Sequence, residues 1–167
     1  MNRRGFSLVE MITVIALITI LLSVGTLDFA AWQRKSQVER YTKELYSDVQ
    51  DARMRAAFTK VSQGIEFNAQ QVVFRKYTSE WDVGGEVVSK KNLPLSFTRN
   101  TADSPAPSSR IVFDTRGITS NPNIQVICFT TTVDAAYDAV IITPALTSMG
   151  KVINRGIACA KTNVTQK

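Results

Sequence analysis

The stretch RGFSLVEMITVIALITILLSV (Arg4–Val24) decides how the chain is organised. The 17 residues from Met11 to Leu27 carry no charge, yet Glu10 stands directly in front of them. At about 1.5 Å per residue, a helix from Phe6 to Leu27 is long enough to span a hydrocarbon core of about 30 Å. A carboxylate inside such a helix costs about 2.5 to 3.5 kcal/mol. Glu10 therefore needs either a partner or an interfacial position from which it reaches water.

The residues around the apolar run favour a retained anchor over a cleaved secretory signal. Arg3 and Arg4 precede the run, which suits either kind of segment with its positive end in the cytoplasm. A secretory cleavage site needs small residues after the apolar core, but Asp28 and Phe29 stand there. We therefore expect the segment to remain part of the chain.

Composition excludes several classes of chemistry. The chain has 167 residues, a formal charge of +6 and no histidine, which rules out histidine-based acid–base catalysis and metal ligation. Cys128 and Cys159 are too far apart for a CxxC motif. The sequence contains no phosphate-binding glycine loop of the Walker or dinucleotide type. We predict neither an enzyme nor a cofactor or metal site.

A helical pattern continues beyond the apolar run. Apolar residues recur at spacings of three and four, which predicts a single buried stripe: Val38, Tyr41, Leu45, Val49, Ala52 and Ala56. No proline interrupts Phe6–Lys60. The pattern predicts one helix of about 55 residues and roughly 80 Å, whose second half packs on a domain.

After Gly64 the pattern changes to the alternation typical of β-strands. Strands are predicted in GIEFNAQQVVFRKY, LPLSFTR, RIVFDTRG, IQVICFTTT and AVIITPAL. Residues 82–87 (DVGGEV) predict a turn and 100–110 (NTADSPAPSSR) a loop. The expected fold class is α+β, with an antiparallel sheet packed against the long helix.

The N-terminal string resembles the class III signal of type IV pilins and type II secretion pseudopilins. The matching features are a short basic leader ending in glycine, then an apolar residue, serine, two apolar residues, glutamate and an apolar run. The resemblance implies that a prepilin peptidase cuts between Gly5 and Phe6 and that the new amino group of Phe6 is methylated. It further implies that Glu10 pairs with the N-terminal ammonium of a neighbouring subunit during assembly. Pilins often carry a proline where this chain has Leu27.

Within that group the chain looks most like the GspH/FimT (FimU-like) minor pilins. The features that carry this likeness are DARMRAA (51–57), EWDVGGEVV (80–88), IVFDTRGITS (111–120) and SMGKVINRGI (148–157). The implied organisation is a leader over 1–5, a transmembrane or filament-core half-helix over 6–31, an extramembrane half-helix over 32–62 and a β-rich domain over 63–167. The implied location is the bacterial inner membrane with a periplasmic domain, and then the filament tip outside the cell.

The expected function is that of a minor pilin that primes assembly of a type IV pilus and joins a tip complex. The implied partners are other minor pilins, the major pilin, the prepilin peptidase and the inner-membrane assembly platform. The alternatives are a type II secretion pseudopilin, an adhesive or decorative filament subunit, and a DNA-binding pilin for natural transformation.

The DNA-binding alternative depends on the basic C-terminal region. From Ala139 onward the sequence has four basic residues and no acidic one. Some FimT-type pilins bind DNA through Gly-Arg-x-Arg, which GKVINR (150–155) matches only at the glycine. Lys151, Arg155 and Lys161 predict a weak, non-specific phosphate-binding patch.

Export of the domain to an oxidising compartment favours a disulfide between Cys128 and Cys159. In the chain-entropy model, a bridge that encloses 30 residues stabilises the domain by roughly 3 to 4 kcal/mol. Two free, buried thiols are the alternative.

Overall fold

The computed structural model describes residues 7–68, 70–79, 82, 84–99, 110–119 and 123–166, without the side chains of 23–28. These residues form an α-helix, α1 (Leu8–Thr59), followed by β-strands and a short 3₁₀ turn (Lys161–Asn163). The strands are β1 (Ser62–Asn68), β2 (Gln71–Tyr77), β3 (Glu86–Asn92), β4 (Phe97–Arg99), β5 (Arg110–Phe113), β6 (Gln125–Phe129), β7 (Ala139–Ile142), β8 (Thr147–Val152) and β9 (Val164–Gln166). The predicted α+β class is confirmed.

Helix α1 spans 52 residues and confirms the single long helix. It ends at Lys60, whose backbone is left-handed with a φ of 57°. The predicted stripe is buried at Val38, Leu45, Val49, Ala52 and Ala56, and Tyr41 packs at its edge. From Leu8 to Leu22 the side chains are exposed. Among the described residues, no stretch of helix combines the length and hydropathy required to cross a membrane.

The strands form two antiparallel sheets, in the orders β3-β2-β1-β5 and β4-β6-β7-β8-β9. The main core lies between α1 and both sheets, and includes Ile65, Phe67, Phe113, Ile127 and Val140. A second cluster covers the outer face of the five-stranded sheet and includes Val126, Cys128, Ile141 and Val152. Strands β6 and β7 are thus buried on both faces, which explains why every residue in them except Gln125 is apolar.

Strand β3 was not predicted. The predicted turn before it is organised by Asp82, whose carboxylate accepts hydrogen bonds from the N–H groups of Gly84 (2.9 Å) and Gly85 (3.4 Å). Gly85 has a φ of +47°, and a Cβ there would lie 2.5 Å from the ring of Tyr77. A side chain at this position is therefore excluded. The predicted loop 100–110 lies outside the described residues except for Arg110, which begins β5.

Asp114 organises the turn that follows β5. Its carboxylate accepts hydrogen bonds from the backbone N–H groups of Arg116 and Ile118, both at 2.9 Å, and lies 2.6 Å from the Arg116 guanidinium. Burial disfavours ionisation of Asp114, but the hydrogen bonds from Ile118 and Arg116 outweigh it and lower its pKa below the ordinary value.

A lowered pKa makes the contribution of Asp114 to stability dependent on pH. That contribution is complete above the unfolded-state pKa of about 3.9 and is lost as the pH falls through the lower folded-state pKa. We expect the difference in unfolding free energy between the wild type and Asp114→Asn to be constant above about pH 5 and to shrink below about pH 4. Urea unfolding of residues 29–167 between these values measures it. Asp51→Asn, an exposed site on α1, is the control, and a gap that stays constant down to pH 3 contradicts the assignment.

Candidate functional site

Helix α1 presents Glu10 in its first turn. The side chain is exposed, and the hydroxyl of Thr13 bonds to the backbone oxygen of Glu10 at 2.9 Å rather than to its carboxylate. Among the described residues no cation pairs with Glu10. The positive end of the helix dipole favours a carboxylate at this position. The geometry leaves Glu10 available to a cation on another molecule.

The predicted processing residues, Gly5 and Phe6, lie outside the described residues, as does the leader 1–5. The apolar run is described with its side chains as far as Leu22. Leu8, Val9, Leu17 and Leu21 are among its large exposed side chains and point in different directions around the helix. This half of α1 therefore offers apolar surface on all sides instead of a single stripe.

The predicted disulfide joins Cys128 of β6 to Cys159, with the two Cα atoms 5.9 Å apart. Cys128 belongs to the cluster on the outer face of the five-stranded sheet, and Cys159 packs against that cluster. The bridge thus fastens the segment between β8 and β9 to the sheet. The alternative of two free thiols is excluded by this pairing.

The structure brings two of the three predicted basic residues together, but with acidic partners. The Nζ atom of Lys151 lies 2.9 Å from Asp134, and a guanidinium nitrogen of Arg155 lies 3.0 Å from the same carboxylate. Hydrogen bonds from Lys151 and then Arg155 lower the pKa of Asp134. Lys161 lies on the 3₁₀ turn and pairs with no described carboxylate.

A second acid, Asp138, holds Arg155 from the buried side. Its carboxylate accepts a hydrogen bond from the backbone N–H of Val152 at 2.7 Å and lies 3.1 Å from Arg155. Sequence reasoning missed both acids because they precede Ala139, where the basic region was taken to begin. The pairing of Ala139 with Gly150 in the β7–β8 hairpin brings them next to the basic residues.

Arg53 is a further residue that the sequence pattern did not single out. Its guanidinium is buried in the helix face that contacts the β7–β8 turn, residues 143–147. It donates to the carbonyl oxygens of Pro144 (3.0 Å), Thr143 (3.0 Å) and Leu146 (3.3 Å) and to the hydroxyl of Thr147 (3.3 Å). Its planar group also stacks 4.9 Å from the ring centre of Phe113. The only available signal was a basic residue beside the apolar stripe.

Metal chemistry finds no support in the described part of the chain. No group of three or more cysteine, aspartate or glutamate side chains is placed there to hold an ion. Two pairs of described acids share a basic partner: Asp134 and Asp138 bind Arg155, and Glu44 and Asp48 bind Lys91.

Comparison with known proteins identifies the N-terminal signal and the fold. Residues 1–26 match the prokaryotic N-terminal methylation motif. The sequence has no significant match among curated proteins.

The fold is similar to that of the type IV minor pilin FimU of Pseudomonas aeruginosa strain PAO1, in two crystal forms. Against the P21 form the TM-score is 0.52 at 10% identity, over 71% of this chain and 91% of FimU. Against the P65 form the TM-score is 0.50 at 13% identity, over 66% of this chain and 90% of FimU. The chain is therefore pilin-like in its N-terminal motif and in its fold, as the sequence predicted.

Proposed function

We propose that this pilin-like chain is a minor pilin of a type IV pilus, which primes filament assembly and joins other minor pilins in a tip complex. The observation that carries the proposal is Glu10. An exposed carboxylate stands in the first turn of a long helix, directly before an apolar run and within the methylation motif. A side chain so costly in an apolar segment is explained by a cation on another subunit.

The proposed sequence of events begins at the membrane. A prepilin peptidase removes residues 1–5, the amino group of Phe6 is methylated, and residues 6–31 anchor the chain in the inner membrane with its domain in the periplasm. Glu10 then pairs with the terminal ammonium of an adjacent subunit, and the exposed apolar side chains of α1 pack against neighbouring helices. The major pilin, other minor pilins and the assembly platform are the partners in these steps.

The test is a count of surface pili, by shearing and quantification of the major pilin. We expect pili to be lost or sharply reduced in a strain that lacks the gene and in one that carries Glu10→Ala, while the variant protein stays in the membrane fraction. Thr13→Val, about one turn further along the exposed helix, is the matched control and should leave pili at the wild-type level. Normal pili in the deletion strain would contradict the priming role.

Service in a type II secretion filament is the alternative that shares the same processing, anchor and use of Glu10. Loss of protein secretion from the deletion strain with normal pili would favour it. The alternative of an adhesive or decorative subunit predicts normal pilus numbers in the deletion strain and normal secretion.

DNA uptake has weaker support, because Lys151 and Arg155 are engaged by Asp134 and Asp138. Three free phosphate contacts would give a slope of about −3 for log K against log salt. We expect a slope much closer to zero from the paired arrangement. A slope near −3 that disappears when Lys151, Arg155 and Lys161 are neutralised would instead establish the DNA-binding role.

A further inference from the structure

Two aromatic side chains stand exposed on α1 just beyond the apolar run. Phe29 is 60% exposed and Trp32 is 62% exposed, and their ring centres are 5.9 Å apart. Because they are three residues apart on a helix, they share one face. Neither belongs to the hydrophobic clusters of the described domain. The domain therefore does not use this pair for its own packing.

The order of side chains along α1 matches the layers of a bilayer surface. Exposed aliphatic residues extend to Leu22, the aromatic pair follows, and Arg34 and Lys35 come next, both exposed. Aromatic side chains concentrate where hydrocarbon meets headgroups, and basic side chains just outside attract anionic lipids. This sequence of apolar, aromatic and cationic surface fits a lipid interface better than it fits the uniformly apolar surface of a second helix.

The distance along α1 between Glu10 and the aromatic pair matches the thickness of the hydrocarbon core. Nineteen residues separate Glu10 from Phe29 and 22 separate it from Trp32 on one continuous helix. At the rise of an α-helix these separations are roughly 29 and 33 Å, and the hydrocarbon core is about 30 Å thick. When the aromatic pair lies at one boundary of the core, Glu10 lies at the other.

We propose that Phe29 and Trp32 form an interfacial anchor that binds the headgroup layer of an anionic bilayer and sets the depth of α1, so that Glu10 lies at the opposite headgroup layer. The inference rests on the membrane anchor of the proposed function and adds a partner and a position to it. Glu10 then stays in contact with water until assembly. The anchor also keeps Glu10 at the membrane surface from which the N-terminal ammonium of a neighbouring subunit has to reach it.

The depth of Trp32 is measurable in the full-length chain, reconstituted in vesicles of phosphatidylcholine and phosphatidylglycerol. Trp81→Phe leaves Trp32 as the single tryptophan, since the sequence has two. Lipids brominated near the headgroup should quench its fluorescence about twofold more than lipids brominated near the chain end, because an interfacial indole stays near the headgroups. The matched variant Trp32→Phe should lose this difference in quenching between the two lipids.

The outcomes separate this inference from the proposed function. Failure of the chain to resist carbonate extraction overturns both. An integrated chain with Trp32 quenched most strongly by the deep bromines, or by neither lipid, overturns the interfacial anchor alone. Absence of quenching together with cross-linking between chains through this face assigns the pair to a second copy and also overturns it.

The position of Glu10 has its own test. An impermeant maleimide should react about tenfold faster with Glu10→Cys than with Ile15→Cys, because the reactive thiolate is excluded from hydrocarbon. The native cysteines do not compete because they are joined. In the Phe29→Leu/Trp32→Leu background the ratio should fall towards one, whereas Phe58→Leu, an exposed aromatic further along α1, should leave it unchanged. Equal rates at both positions in the native background overturn the inference. A ratio of rates that is the same with and without the two aromatic side chains also overturns it.

Discussion

Replacing Arg53 by methionine is expected to lower the free energy of unfolding by about 3 kcal/mol, since hydrogen bonds from a charged donor contribute about 1.5 to 3 kcal/mol each. The guanidinium makes four such contacts with the turn at 143–147. Burial of its charge works in the opposite direction and lowers the pKa of Arg53. The carbonyl oxygens of Pro144 and Leu146 also accept hydrogen bonds from the N–H groups of Thr119 and Thr143. We expect the contacts of Arg53 to outweigh the cost of burial because together they join α1 to this turn.

Denaturant unfolding of residues 29–167, followed by circular dichroism, measures the effect. Methionine retains most of the aliphatic stem beside Phe113, so the change reports mainly on the charged head. Arg55→Met, an exposed site on the same helix, should change the stability by less than about 0.5 kcal/mol. A methionine variant as stable as the wild type would show that the buried charge costs as much as its hydrogen bonds contribute.

Gly117 lies in a second segment that packs closely on α1 at Arg53. Its φ is +78°, and a Cβ at this position would lie 2.9 Å from the backbone oxygen of Arg53. The chain after β5 therefore approaches α1 as closely as a glycine allows. Together with the turn at 143–147, this segment explains why Arg53 is enclosed although it lies beside the apolar stripe.

The elements that the sequence predicted correctly are those with a one-sided or fully apolar pattern. The α1 stripe has a helical period because one face packs on the sheets. Strand β7, and β6 after Gln125, are apolar because both of their faces are covered. The N-terminal signal was recognisable because its residues are consecutive. Local patterns of this kind report directly on burial.

The features that the sequence missed are a strand without a buried face and a set of charges whose partners lie in another strand or loop. Strand β3 is an edge strand with Val87 and Val88 exposed, so no buried face imposes an alternation on it. The basic C-terminal region seemed unopposed because charge was counted along the sequence. The antiparallel pairing of β7 with β8 places Asp134 and Asp138 beside it. Local composition does not predict which strands pair and therefore which charges meet.

The Asp138→Ala variant is expected to lose about 1 to 3 kcal/mol, because it removes a buried acceptor and leaves its backbone donor unsatisfied. Asp138 is fully buried, and its carboxylate joins the N–H of Val152 to the guanidinium of Arg155. Without it, a backbone donor at the end of β8 is left unsatisfied and Arg155, whose side chain is 28% exposed, loses one of its two counter-charges. The segment between β8 and Cys159 would then be held by the disulfide, by its hydrogen bonds with Asn163 and by the exposed pair of Arg155 with Asp134.

Asp134 supplies the matched control, because it bonds the same arginine from the solvent side. Its side chain is 71% exposed, and ion pairs of exposed side chains add little to stability because solvent screens them. Asp134→Ala should therefore change the free energy of unfolding very little. A double-mutant cycle with Arg155→Ala should give strong coupling for Asp138 and weak coupling for Asp134.

The same contrast should appear in the rate at which dithiothreitol reduces the Cys128–Cys159 bond. Cys128 is buried, so only Asp138→Ala should open the covering segment and accelerate reduction. Equal effects of the two alanine variants would show that burial of Asp138 does not determine the strength of this link.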